Sequence, residues 1–118
     1  METPGSVDHD GSLLDYCRLH DITLQAWSPF QMPAWKGCFL GSDEYPELNQ
    51  KLHVLAEKYN VSDTTIAAAW LLRHPANMQI ITGTASESRL KEIIAACEIT
   101  LTREEWYELY LAAGHPLP

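Results

Sequence analysis

Cysteine is scarce in this chain. Cys17, Cys38 and Cys97 are the only 3 in 118 residues, and no two of them form a C-x-x-C pair. A disulfide scaffold or a thiolate zinc site is therefore not expected, and the chain reads as a reduced protein. Positive charge is also scarce: 8 Lys+Arg face 16 Asp+Glu, for a formal net charge of -8. That balance argues against a nucleic-acid-coating role. No apolar run approaches the ~20 residues that span a bilayer. The opening METPGSVDHDGS has neither a basic nor an apolar signal region. The expectation is a cytoplasmic protein with neither nucleic acid nor membrane as a partner.

What is present is an ordinary globular composition, 46% hydrophobic and 20% charged, in a length that fits one small domain. Residues 1–11 are polar, with Pro4, Gly5 and Gly11, and read as a flexible N-terminal segment ahead of a structured unit over 12–118. Asp8-His9-Asp10 joins two carboxylates to an imidazole, but with no second ligand set nearby it reads as a solvated loop rather than a metal site. Ser12, with Asp15 at the N3 position, is expected to cap a short helix whose apolar side is Leu13, Leu14, Cys17 and Leu19. Ile22 to Trp27 is enriched in β-branched and aromatic residues and is stopped by Ser28-Pro29, which predicts a strand of about five residues.

From Phe30 to Tyr45 the chain has no period and is punctuated by Pro33, Gly37 and Gly41, with apolar weight from Trp35, Phe39 and Leu40. A loop of this length in a compact chain is usually functional. Pro46 suits a first helical turn, and Leu48, Leu52, Leu55 and Tyr59 follow as one stripe, ended at Asn60. Ser62 opens a helix with Ile66, Ala69, Trp70 and Leu72, whose Ala67-Ala68-Ala69 run lets another element approach closely. Gln79 to Thr82 is a second β-branched run, ended by Gly83. Ser86 caps a helix carrying Leu90, Ile93, Ile94 and Cys97. Thr102 and Glu105 form a capping box for a last helix with Trp106, Leu109, Tyr110 and Ala113 on one face, closed by Gly114 and Pro116. The order α-β-loop-α-α-β-α-α predicts a helix-rich α/β architecture with parallel strands and a right-handed crossover. Two strands are few for such a sheet.

Two strand ends and the helix between them carry the informative sequence. Ala26-Trp27-Ser28-Pro29-Phe30 follows the first strand, and Ile81-Thr82-Gly83-Thr84-Ala85-Ser86-Glu87-Ser88-Arg89-Leu90 follows the second. Between them, Tyr59 to Pro75 ends in Trp70-Leu71-Leu72-Arg73-His74-Pro75. In this order and spacing they resemble the C-terminal part of the aldo-keto reductases, (β/α)8-barrel enzymes that use NADPH. The likeness runs from about Ser12 to Ala113 and is nearest to a bacterial branch. The resemblance implies a partial TIM barrel made of the last two βα units plus a C-terminal helix, with ligands at the C-terminal ends of the strands.

The resemblance also implies an NADP(H) site. Trp27 takes the place of the aromatic residue that stacks on nicotinamide, and Ser28, Pro29 and Phe30 lead into the loop passing the pyrophosphate. After the second strand, Thr82 stands for a proline, Gly83 for a lysine, Thr84 for a serine and Arg89 for an arginine. Glu92 matches a glutamate, and Ile93 replaces an asparagine. Thr84 and Arg89 would grip the adenosine 2′-phosphate. Gly83 takes away one positive charge for phosphate, and Ile93 takes away one group that would touch adenine. Read without the resemblance, Trp27 serves equally as a core aromatic and Ser28-Pro29 as a common turn pair. Trp70, Trp106 and Tyr110 read as packing, and His20, His53, His74 and His115 as structural or solvated. Arg89 sits in the first turn of a helix, where a cation opposes the macrodipole, and this points to an anion as its partner.

No catalytic residue is assigned. The family's tyrosine acid, with its lysine, histidine and aspartate, comes from earlier strands to which nothing here corresponds, and Tyr16, Tyr45, Tyr59, Tyr107 and Tyr110 lie outside that motif context. One reading is thus a C-terminal fragment of an NADPH-dependent aldehyde or ketone reductase, inactive alone, whose small-molecule carbonyl substrate binds only in a complete barrel. The other is a non-catalytic structural or interaction module that self-associates into a homo-oligomer through exposed sheet edges and helix faces.

Overall fold

A computed structural model describes residues 11–32 and 36–117. Asp8-His9-Asp10, nearly all of the expected flexible segment, and Trp35 lie outside the described residues. The elements run α1 (Ser12–Leu19), β1 (Gln25–Ala26), α2 (Pro46–Tyr59), α3 (Asp63–Arg73), β2 (Gln79–Ile80), α4 (Glu87–Ala95) and α5 (Arg103–Ala112), with a 3-10 turn at Ala96–Glu98 extending α4. The predicted α-β-loop-α-α-β-α-α order is the order observed. Among the described residues, no helix is long and apolar enough to cross a membrane.

Local sequence sets most helix ends. Pro46 occupies the first turn of α2, and Asn60 ends it in the left-handed region, φ 54°. Ser62 caps α3 and accepts from the Thr65 N–H at 3.2 Å. Ser86 caps α4. Thr102 and Glu105 form the full capping box of α5, at 3.2 Å and 2.8 Å. Gly114, φ 89°, closes α5 with N–H bonds from Gly114 to the Leu111 carbonyl and from His115 to the Tyr110 carbonyl, the pairing of a Schellman motif.

Three expectations are corrected. Gly11, φ 78°, takes the N-cap of α1; Ser12 is the first helical residue, and among the described residues no side-chain hydrogen bond caps this helix. The strands are shorter than their β-branched runs, because a run gives propensity while only a facing partner gives a ladder. Gln25 pairs with Gln79 and Ala26 with Ile80, in parallel. Two further backbone bonds flank these pairs, Gln79 N–H to the Leu24 carbonyl at 2.8 Å and Ile81 N–H to the Ala26 carbonyl at 3.0 Å. On α4 only Ile93 of the predicted apolar set is buried; Leu90, Ile94 and Cys97 are exposed, because α4 and its 3-10 turn direct Ile93 and Ala96 toward α3.

The core is built around α3. Thr65, Ile66, Ala67, Ala68 and Ala69 are all buried in it, and α2, α4 and β2 pack against it. Leu48, Leu52 and Leu55 of α2, Leu101, and Leu109 of α5 complete the cluster. The Trp70 and Trp106 rings stack, centroids 4.6 Å apart and 6° from parallel. Each indole N–H donates at 3.0 Å to the other residue's backbone carbonyl. The pair therefore buries aromatic area while satisfying both polar tips.

Glu105 is a buried carboxylate, 6% exposed. It accepts from the Lys58 ammonium, from the Tyr59 hydroxyl at 2.6 Å and from the Thr102 N–H at 2.8 Å. Burial pushes its pKa up, but the Lys58, Tyr59 and Thr102 hydrogen bonds prevail and hold it at about 2. Because the folded value lies below the unfolded one of 4.5, this carboxylate contributes its full stability above about pH 4.5 and loses it as the pH falls toward about 2. Glu105→Gln is expected to lower the unfolding free energy at pH 7 by about 1.5–3 kcal/mol and to flatten the pH dependence below 4.5, measured by urea denaturation across pH. Equal pH profiles for both proteins would refute the assignment.

Candidate functional site

The two strands point their C-terminal ends the same way, and a cavity of about 610 Å³ opens where they end. One wall is Ser28, Pro29, Phe30 and Gln31, leaving β1; the other is Ile81, Thr82, Gly83 and Thr84, leaving β2, with Arg89 and Ile93 from α4 and Thr64 from α3. Such a crevice beyond the carboxyl ends of parallel strands is where α/β folds bind ligands. The chain turns sharply out of β1, with Ser28 at φ 49° just before Pro29.

Of the residues expected from sequence, Ser28, Pro29, Phe30, Gly83, Thr84 and Arg89 are brought together here. Trp27 stands at the end of β1, 69% exposed, and does not line this cavity. The Glu92 side chain is also absent from its wall; the Glu92 backbone carbonyl accepts from the buried Thr65 hydroxyl at 2.7 Å, tying α4 to α3. Ile93, in the place of an asparagine, is buried and gives the cavity an apolar patch.

The polar lining favours an anion. The Thr84 hydroxyl oxygen accepts from the Ser86 N–H at 3.1 Å, which leaves its own proton to donate. Arg89 has no ion-pair partner among the described residues. It lies in the first turn of α4, where the helix macrodipole already presents positive charge. Together the guanidinium, the hydroxyl and the start of the helix form a donor set, with no carboxylate in the cavity wall among the described residues. No group of three or more His, Cys, Asp or Glu that could hold a metal ion exists among the described residues.

The loop that covers the β1 side, irregular by sequence, is a small folded lobe. Gln31 and Cys38 form an antiparallel bridge, and the Phe39 N–H donates to the Phe30 carbonyl at 3.0 Å. Met32 and Phe39 are buried, and the Phe30 and Phe39 rings meet edge to face at 6.3 Å. Asn49, on α2, anchors it. Its amide nitrogen donates to the carbonyls of Phe39, Ser42 and Tyr45 at 2.9–3.2 Å, and its oxygen accepts from the Gly41 N–H at 2.7 Å. Sequence reasoning missed Asn49, Gln31 and Cys38 because their partners, 4 to 10 positions away, lie in a segment with no period to read, and Thr64 because the cavity it lines is made by segments distant in the chain. Asn49 carried the only local hint, as an amide one turn inside a helix that follows a Gly-containing loop.

Comparison with known proteins gives a consistent answer. The Aldo/keto reductase family model matches residues 6–110. A 6-dehydroglucose reductase of Agrobacterium fabrum is 33% identical over 100 residues, covering 85% of this chain and 32% of that protein. A second 6-dehydroglucose reductase, of Novosphingobium aromaticivorans, is 31% identical over 109 residues, covering 89% of this chain and 34% of its own. A crystal structure of a thermostable aldo-keto reductase in complex with the inhibitor epalrestat superposes with a TM-score of 0.68 at 27% identity, over 90% of this chain and 36% of that one. The chain thus spans about a third of the length of the relatives it matches.

Asn49→Ala removes the side-chain hydrogen bonds that tie the lobe to α2. The expected result is a loss of about 1–3 kcal/mol in unfolding free energy, with faster amide hydrogen exchange at Phe39 and faster alkylation of the exposed Cys38, while Cys97 is unaffected. Unchanged exchange at Phe39 would contradict the anchoring role.

Proposed function

Because the chain belongs to the aldo/keto reductase family, we propose that it is the NADP(H)-binding portion of an NADPH-dependent carbonyl reductase, and that β1 and β2 are the seventh and eighth strands of a (β/α)8 barrel. The observation that carries this reading is the cavity at the carboxyl ends of the two parallel strands, with Arg89, Thr84 and the start of α4 on one side and Ser28, Pro29 and Phe30 on the other.

The donor set fits a dinucleotide phosphate. Arg89 supplies a planar fork that matches phosphate oxygens two at a time, and Thr84 supplies a hydroxyl donor beside it. The N-terminal N–H groups of α4 add a fixed positive dipole. Gly83, where relatives carry a lysine, allows close backbone approach but gives no charge, so Arg89 carries the charge recognition on this wall. Ser28 and Pro29 set the path of the loop past the pyrophosphate, and Trp27, exposed beyond β1, presents a flat face that would hold one side of a nicotinamide ring. Glu92 would act on the adenine end. When bound, the reduced cofactor supplies a hydride to a carbonyl carbon.

Proton donation is a different matter. No tyrosine, lysine or histidine lines the cavity among the described residues, and the Tyr59 hydroxyl is spent on Glu105, which raises its pKa by accepting its hydrogen bond. A general acid must lie within hydrogen-bond reach of the developing alkoxide, so these residues bind and orient without completing the reduction.

A second reading rests on the apolar surface. Leu19 is 80% exposed and Ile94 59%, while Leu13, Tyr16 and Leu90 are also exposed. The two-stranded sheet leaves both outer edges unpaired among the described residues. Such faces and edges favour association, with a second copy of this chain as the partner. Light scattering after size exclusion is expected to give a dimer or higher species, and a clean monomer would remove this reading.

For the cofactor site, NADPH is expected to quench the chain's tryptophan fluorescence saturably, and Arg89→Ala to weaken NADPH roughly 10-fold or more with little effect on NADH. The chain alone is expected to show no reduction of a generic aldehyde. Absence of quenching at millimolar NADPH would defeat the cofactor claim, and a measurable aldehyde turnover would defeat the division of labour.

A further inference from the structure

The cations of this acidic chain divide by type. Lys36, Lys51, Lys58 and Lys91 each form an ion pair, with Glu44, Glu108, Glu105 and Glu87. Among the described residues, Arg18, Arg73, Arg89 and Arg103 form none. With 16 acidic side chains to 8 basic ones, guanidiniums left without a carboxylate need a reason. Arg89 has one in the proposed cofactor site. Arg73 and Arg103 have another cavity.

That cavity, of about 230 Å³, is lined by Arg73, His74, Pro75, Arg103, Trp106 and Tyr107. It shares no residue with the cavity at the strand ends. Its residues at 73–75 precede β2, whereas Ile81 to Thr84 of the cofactor cavity follow it, so the two lie at opposite ends of the strand. Arg73 is held in place: its Nε–H donates to the Leu101 carbonyl at 3.0 Å, which leaves the four N–H groups of its two terminal nitrogens to bind elsewhere. Arg103 is the first residue of α5, a position where a cation opposes the helix macrodipole and gains nothing from the helix itself. Trp106 and Tyr107 follow three and four residues on and share its face, and Trp106 is fixed by its reciprocal bonds to Trp70. The His74 Nδ1 accepts from the Ala76 N–H at 3.0 Å, so in the neutral ring Nε2 is the remaining donor. Burial first, and then the Arg18 charge, lower the His74 pKa against a smaller opposing effect of Asp15. Arg18 and Asp15, both on α1, thus bring one charge of each sign near His74, and the cavity's own positive charge comes from Arg73 and Arg103.

We propose that this cavity is a binding site for a small organic anion. A phosphate monoester or carboxylate head would sit between the Arg73 and Arg103 forks, and a flat apolar body would lie against Pro75, Trp106 and Tyr107. The chemistry follows from the lining: planar guanidiniums match two oxygens at once, and aromatic and prolyl surface takes what the head carries. Inorganic phosphate lacks that body and binds more weakly.

Nuclear magnetic resonance titration of the whole chain with phenyl phosphate and with benzoate tests this, read at the arginine Nε–H and tryptophan indole N–H signals. Saturable shifts at Arg73, Arg103 and Trp106 are expected with at least one of the two; which one separates a phosphate from a carboxylate site. Arg103→Gln, an exposed change that keeps helix propensity, is expected to weaken binding about 10-fold, while Arg89→Ala leaves it unchanged. No saturable shift up to about 10 mM of either probe, wild-type affinity in Arg103→Gln, or loss of binding in Arg89→Ala would each overturn the proposal.

Discussion

Burial of the small-residue face of α3 is the constraint on which the rest of the structure depends. Ile66 and Ala68 are fully buried and Ala69 nearly so. Because alanine offers little side chain, α2 and α4 come close to α3, and the gap is filled by the leucines of α2 and by Ile93 of α4. Two polar devices keep this packing in register. Thr65 reaches across to the Glu92 carbonyl, and Trp70 exchanges indole bonds with Trp106. Each satisfies a buried polar group that would otherwise be costly, so each fixes a neighbour's position as well as its distance.

The functional geometry hangs from that frame. Two strands of two residues each hold little by themselves. What places the residues leaving them is the helix layer: α4 is docked on α3 through Thr65, which sets Arg89 and Ile93 opposite the loop from β1, and α2 holds that loop through Asn49. At the other end, α5 is fixed to α2 through Glu105, with Lys58 and Tyr59, and to α3 through the tryptophan pair. The same two attachments bring Arg103 near Arg73. One helical frame thus presents cationic groups at both ends of the strands, in a chain whose net charge is -8.

Much of this was legible in the linear chain, where the signals are local. The caps at Ser62, Ser86 and Thr102, the proline at the start of α2 and the glycine beyond α5 act within one turn of their own backbone, so no distant partner is needed to read them. The strand-end segments were legible too, and with them the aldo/keto reductase resemblance and the gathering of Ser28, Pro29, Phe30, Gly83, Thr84 and Arg89 around one cavity. The length of the strands was not, because pairing needs both partners. Neither was the exposure of Leu90 and Ile94 on α4, since helical spacing names an apolar stripe but not how much of it a neighbour covers.

By itself the sequence determined the order of elements, the ends of four helices, the family and the residues that follow each strand. Only the tertiary structure decided that Trp27 and the Glu92 side chain stand apart from the cavity wall, that Asn49 anchors the covering loop, that Glu105 is a buried acid with its pKa held low, and that Arg73 and Arg103 line one cavity. The physical reason is range. Caps and periodicity are set within a few residues, whereas a buried charge, a shared cavity and a reciprocal indole pair exist only when segments 28 to 47 positions apart are brought together.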